Sequence, residues 1–197
     1  MDYTDKIAEI RGRLTELLSP KRYRHSVGVA RMAEKLAGIY GADRDKAYFA
    51  GFVHDIAKGY DTQELNELVR KYGLPEEFID SPALAHSKVG AEILKEEYGI
   101  DDEDVLNAVR YHTTGRANMS LLEEIVYVSD AIEQNRSYEG LRRLRMLASF
   151  DLDKACLEII EFCIENVKRR GILLADDTIK AKYFIEDKIK GEPNRWK

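Results

Sequence analysis

Four histidines and two aspartates carry the chemistry open to this chain. His25, His54, His86 and His112 each fall on or at the end of a separate helical segment. Asp55 follows His54 directly, and Asp130 interrupts the apolar run IVYVSDAI, so the pattern reads H-x28-HD-x30-H-x25-H-x17-D. Asp130 shares a helix face with Val126, where burying an isolated carboxylate costs several kcal/mol unless it is paired or bound to a metal. His25 is followed at helical spacing by Val29, Met32 and Leu36, so it faces inward, and His112 follows Val105 and Val109 on one face. Imidazoles and carboxylates converging in a helical core are the donor set of a divalent-metal site. The residues alone leave the plainer reading open: a histidine on an apolar face is more often a satisfied core residue, and Asp130 could pair with a lysine or arginine.

The elements that must hold these residues are helices. Ile7, Ile10, Leu14, Leu17 and Leu18 form one apolar stripe. Ser19-Pro20 opens a second helix that Gly41 ends, and a third is expected from Asp43 to Ala57. Asp61 with Glu64 is a capping box for a helix stopping at Gly73. Further helices are expected over Pro82–Tyr98, Asp101–His112, from the Ser120/Glu123 capping box through Asn135, over Asp151–Arg170 and over Asp177–Lys190. No strand-like alternation, repeat or linker appears, so the expectation is an all-α, single-domain helical bundle of residues 1–190, eight to ten helices, with 191–197 a flexible tail. Cys156 and Cys163 lie on the apolar stripe of the long helix and read as small core residues.

Composition narrows the class. The chain has 197 residues, 44% of them hydrophobic, and 31 Lys+Arg against 36 Asp+Glu give a net charge of −5. A chain this long buries roughly 70% of its unfolded surface, so it needs no disulfide or metal merely to fold. The acidic balance speaks against nonspecific nucleic-acid binding and against a polybasic membrane-surface role. Two cysteines are no disulfide framework and favour a reducing cytoplasm. The charged start MDYTDKIAEI is unlike a signal peptide, and the apolar stretch Ala47–Val53 is far short of the ~20 residues a spanning helix needs. A cytoplasmic protein is expected, with no nucleic-acid or membrane partner and a homodimer as the default assembly.

The order His25, His54-Asp55, Asp130 resembles the HD superfamily of metal-dependent phosphohydrolases, an all-α fold named for its adjacent His-Asp pair. RYRHSVGVA (22–30), FVHDIAK (52–58), HSKVGAEI (86–93), YHTTG (111–115) and YVSDAIEQNR (127–136) together resemble the bacterial YqeK-type symmetrical bis(5'-nucleosyl)-tetraphosphatases, over about residues 7–185. Two positions depart from the family pattern: Ala57 stands where the frequent HDIG form has glycine, and Ser87 where relatives often have glycine. Neither removes a ligand, and both bear on pocket width and substrate detail.

The resemblance implies that His25, His54, Asp55 and Asp130 hold a primary divalent metal, iron in this family. His86 and His112 would hold a second ion, with Asp55 bridging, or bind substrate phosphate. The implied reaction is attack of metal-activated water on diadenosine tetraphosphate, giving two ADP. Asp55 and Lys58 would be catalytic, and Arg22, Lys58, Thr113 and Arg136 would bind the polyphosphate, with Thr114 a further donor. Two other readings stand beside it: the same site acting on a nucleoside monophosphate, a dNTP or a cyclic nucleotide, or a domain that binds nucleotide without turnover.

Overall fold

Local signals set the helix ends. Ser19 accepts the Arg22 backbone N–H at 3.4 Å and Pro20 occupies the first helical position, while Gly41, left-handed at φ 74°, closes the same helix. Asp61/Glu64 and Ser120/Glu123 form complete capping boxes. The computed structural model describes residues 3–171 and 174–191. Among these it has α1 (Tyr3–Leu17), α2 (Pro20–Tyr40), α3 (Arg44–Val53), α4 (Thr62–Lys71), a 3-10 turn at Glu76–Phe78, α5 (Pro82–Tyr98), α6 (Glu103–Tyr111), α7 (Leu121–Ile132), α8 (Leu141–Phe150), α9 (Leu152–Arg169) and α10 (Asp176–Lys190). The fold is all-α, and no strand occurs among the described residues. No helix among them is long and apolar enough to cross a membrane. The expected tail lies outside the described residues, apart from Gly191 at the end of α10.

Three differences from the sequence expectation matter for the site. The third helix stops at Val53 instead of Ala57, because the His54 ring engages the Gly51 carbonyl (2.7 Å) that the next helical N–H would use. The chain then continues through tight turns, with Ile56 N–H donating to Val53 O and Lys58 N–H to Asp55 O, both at 2.9 Å. The helix opened by Ser120 ends at Ile132 instead of Asn135, which leaves Glu133 to Arg136 in a turn. Finally, α8 was not foreseen. It begins after Gly140 with no side-chain cap, so no start signal precedes its buried Leu141, Leu144 and Ala148. Arg145 of α8 donates to the carbonyls of Ile132 (2.7 Å) and Glu133 (2.6 Å), satisfying the end of α7.

Helices α2, α3, α5, α6 and α7 enclose the core, and α7 is buried along most of its length. The closest approach of α2 to α3 depends on Gly51: a Cβ there would stand 3.0 Å from Ala30 Cα and 3.1 Å from Ala30 N and Val29 O. These are backbone atoms, so a larger residue forces the two helices apart. Cys156 is buried as expected, whereas Cys163 is only half-buried; neither is in a disulfide.

Gly51→Ala is expected to destabilise the chain by about 1–3 kcal/mol, as overpacking does, and to lower its urea midpoint. An unchanged midpoint would show that α2 and α3 can separate without cost.

Candidate metal centre

The six residues singled out in the sequence come from five elements and meet at one place. His25 is on α2, His54 and Asp55 are in the turn after α3, and His86 is on α5. His112 caps α6, and Asp130 is on α7. Three overlapping triads, His25/His54/Asp55, His54/His112/Asp130 and Asp55/His86/His112, each bring their donor atoms within 4.8 Å of one another. His54, Asp55, His86 and His112 are buried, and His25 and Asp130 are half-buried at the mouth.

Each ring is turned by what its Nδ1 touches. Nδ1 of His54 lies 2.7 Å from Gly51 O, that of His86 3.1 Å from Pro82 O, and that of His112 2.8 Å from Val109 O. A carbonyl only accepts, so each of these Nδ1 atoms carries a proton, and in the neutral His54 and His86 rings Nε2 presents a lone pair. His25 follows the same rule with a carboxylate: Nδ1 is 3.2 Å from Glu133 Oε1, and Nε2 is 2.9 Å from Asp130 Oδ1. Nε2 of His54 is fully buried with no hydrogen-bond partner. An acceptor in that position calls for a cation or a donor, so the donor set is compatible with a divalent metal.

Asp55 joins the two halves of the cluster. Its Oδ2 lies 3.7 Å from His54 Nε2, while its Oδ1 lies 3.3 Å from His86 Nε2 and 3.6 Å from His112 Nε2. Burial lowers the pKa of both His54 and His86 to about 4, so both rings are neutral at pH 7. Burial likewise lowers His25, but its hydrogen bonds to Asp130 and Glu133 outweigh this and its pKa is raised.

The expected cations also arrive. Lys58 Nζ sits 3.1 Å from His86 Nε2, Arg22 Nη1 is 3.5 Å from Asp55 Oδ2, and Arg136 Nη2 is 2.7 Å from Asp130 Oδ1. Asp130 therefore has an arginine partner as well as a place among the donors. Thr113 Oγ1 is 3.4 Å from His86 Nε2. Thr114 is a correction: its hydroxyl donates to Gly115 O at 2.9 Å, and it does not line the cavity beside the cluster.

Two features escaped the sequence reading. Glu133, 1% exposed, holds His25 with one oxygen and accepts from Asn135 N–H (2.6 Å) and Nδ2 (2.8 Å) with the other. Its place three residues after Asp130 was the available signal, since both carboxylates face the same ring. Gly28 makes room for it, because a Cβ there would collide with the Glu133 carboxylate. The second feature is the far wall of the cavity, whose volume is about 960 Å3. Ile159, Phe162 and Cys163 of the expected α9 form that wall together with Leu144 of α8 and Tyr138 from the turn before it.

Known proteins match this arrangement. The HD domain family model matches residues 22–135, which span His25 to Glu133. The symmetrical bis(5'-nucleosyl)-tetraphosphatase of Bacillus subtilis is 40% identical over 179 residues, covering 90% of this chain and 94% of that protein. The Staphylococcus aureus protein of the same name is 38% identical over 183 residues, with the same coverages. A Clostridium acetobutylicum crystal structure, described as a predicted HD superfamily hydrolase involved in NAD metabolism, superposes with a TM-score of 0.87 at 43% identity. It covers 92% of this chain and 97% of that one. With the His-Asp pair at the centre of the buried cluster and this likeness over nearly the whole length, the chain belongs to the HD-domain family, in the group that holds the bacterial symmetrical bis(5'-nucleosyl)-tetraphosphatases.

Proposed function

We propose that the chain is a metal-dependent hydrolase that cleaves diadenosine tetraphosphate symmetrically into two ADP. The observation that carries the metal is the convergence of lone-pair Nε2 atoms around a buried acceptor with no partner, His54 Nε2. The substrate is carried by kinship with proteins named for that activity. In this reading His25, His54, Asp55 and Asp130 hold a divalent ion, and iron suits imidazole and carboxylate donors. His86 and His112 share the other Asp55 oxygen. Their Nε2 atoms lie 3.2 Å apart and the His86 ring is neutral, an arrangement better suited to a second cation than to phosphate.

A bound ion supplies Lewis acidity at a phosphoryl oxygen and lowers the pKa of water. The chain's own groups do the rest. Arg22 and Arg136 flank the carboxylates at the mouth and face the incoming polyphosphate, and Lys58 adds positive charge beside His86. Thr113 offers a hydroxyl donor on the same wall. Asp55 stays ionised and spans both halves of the cluster. Water adds to an inner phosphorus, the central bridging P–O bond breaks, and ADP departs.

Metal-loaded protein given diadenosine tetraphosphate should release ADP alone by anion-exchange chromatography. ATP plus AMP would contradict the symmetrical cut, and turnover only of a nucleoside monophosphate, a dNTP or a cyclic nucleotide in a parallel panel would replace the substrate. Asp55→Ala should lose both bound metal and hydrolysis; full metal content with full activity in that variant rejects the site.

Glu133→Ala should retain the fold but weaken metal affinity about 10–100-fold, since the ring it holds is then free to turn. Affinity equal to wild type would remove Glu133 from the account. Metal binding should also weaken as pH falls through the raised His25 pKa, because the proton then competes for the Nε2 lone pair. His54 and His86, with pKa about 4, add no such competition above pH 6. Calorimetry in buffers of different ionisation enthalpy should register proton release on metal binding that His25→Gln abolishes. Release that persists in His25→Gln would move the competing proton to another group.

A further inference from the structure

The cavity is divided chemically. One part of its lining holds the His/Asp cluster with Arg22, Lys58 and Arg136, and these three cations suit phosphate. Another part is apolar and aromatic: Tyr138 from the turn before α8, Leu144 from α8, and Ile159, Phe162 and Cys163 from one face of α9. Tyr138 and Phe162 stack nearly parallel, with ring planes at 10° and centroids 6.4 Å apart. Both remain exposed, at 42% and 60%, although each has a large apolar surface and they adjoin one another.

Tyr138 is fixed relative to the cluster. Its hydroxyl donates to Ala131 O at 2.9 Å, and Ala131 directly follows Asp130. The ring is therefore tethered one residue from a proposed metal ligand. Arg143 of α8 and Glu158 of α9, which also line the cavity, form an ion pair and supply hydrogen-bonding groups to the same lining.

We propose that Tyr138 and Phe162 form a stacking platform for one purine base of the dinucleotide, with the adjoining phosphates led from it to the His/Asp cluster. The inference rests on the reading of this cavity as a nucleotide site. A flat π-face held rigid beside a cationic phosphate site is how a protein binds a nucleotide without selecting strongly among bases. A symmetrical cut leaves two phosphates on either side of the scissile bond, so each half of the substrate fits the platform equally. Phe162 contributes binding energy, not chemistry.

The test compares ADP with inorganic pyrophosphate, which shares the phosphates and lacks the base. Calorimetric titrations use the metal-loaded wild type, Phe162→Leu and Phe162→Tyr, and the KM and kcat for diadenosine tetraphosphate are measured on the same samples. Phe162 is exposed, so these variants should fold. Phe162→Leu should weaken ADP roughly 10-fold, leave pyrophosphate within about two-fold and raise KM with kcat retained, while Phe162→Tyr restores ADP binding. Equal weakening of ADP and pyrophosphate, or no change in either, overturns the platform. Wild type that fails to bind ADP overturns it as well. A base-dependent loss of ADP binding in a protein that does not cleave diadenosine tetraphosphate keeps the platform and removes the proposed activity. Cleavage with an unchanged KM in Phe162→Leu does the reverse.

Discussion

Each imidazole at this site has its Nδ1 proton committed to an acceptor outside the cluster, and that commitment decides where everything else can go. Gly51, Pro82 and Val109 lend backbone carbonyls from three or four residues earlier in the chain, and Glu133 lends a carboxylate. With those bonds made, the Nε2 atoms of His54, His86 and His112 can only converge. His54 Nε2 is left a buried acceptor with no partner, which costs on the order of 1–3 kcal/mol. The bundle tolerates this because it packs tightly elsewhere: Ile56, Ala57, Val89 and Val109 beside the donors are fully buried. The cluster is preorganised at a cost to stability, as sites that bind a cation commonly are.

Charge follows the same local logic. The chain is acidic overall, yet the substrate class proposed for it is a polyanion. Long-range attraction by a basic face is not available to it. Arg22, Lys58 and Arg136 instead stand beside the carboxylates and imidazoles around one cavity, so the attraction acts at short range where the phosphates would sit. The aromatic wall at the other end of the cavity is neutral. A ligand with both a polyphosphate and a base is the molecule whose two parts match those two ends.

Much of this was legible in the sequence, and the exceptions have physical causes. Ser19, Asp61 and Ser120 marked helix starts because capping is local, within three residues. The six donors were legible because polar residues on apolar helical faces stand out. Glu133 was not, since a glutamate near a helix end ordinarily faces solvent and its i+3 spacing from Asp130 is a weak signal that it points at His25. The end of α3 was missed for a related reason: the His54 ring takes a backbone carbonyl, a side-chain event that propensity does not register. The part of the cavity wall that α8 and the turn before it add, Leu144 and Tyr138, depends on a helix that begins after Gly140 without a cap and is anchored by Arg145 on α7, a contact with no sequence signature.

The central claim is that His54 Nε2 is a metal ligand. Anomalous diffraction from crystals of the purified protein, collected on either side of the iron absorption edge, tests it most directly. The account predicts an ion peak about 2.0–2.2 Å from His54 Nε2, with His25, Asp55 and Asp130 completing its protein ligands. A map with a water or a protein donor hydrogen-bonded to that nitrogen, and the ion elsewhere or absent from protein shown to be loaded, would contradict it.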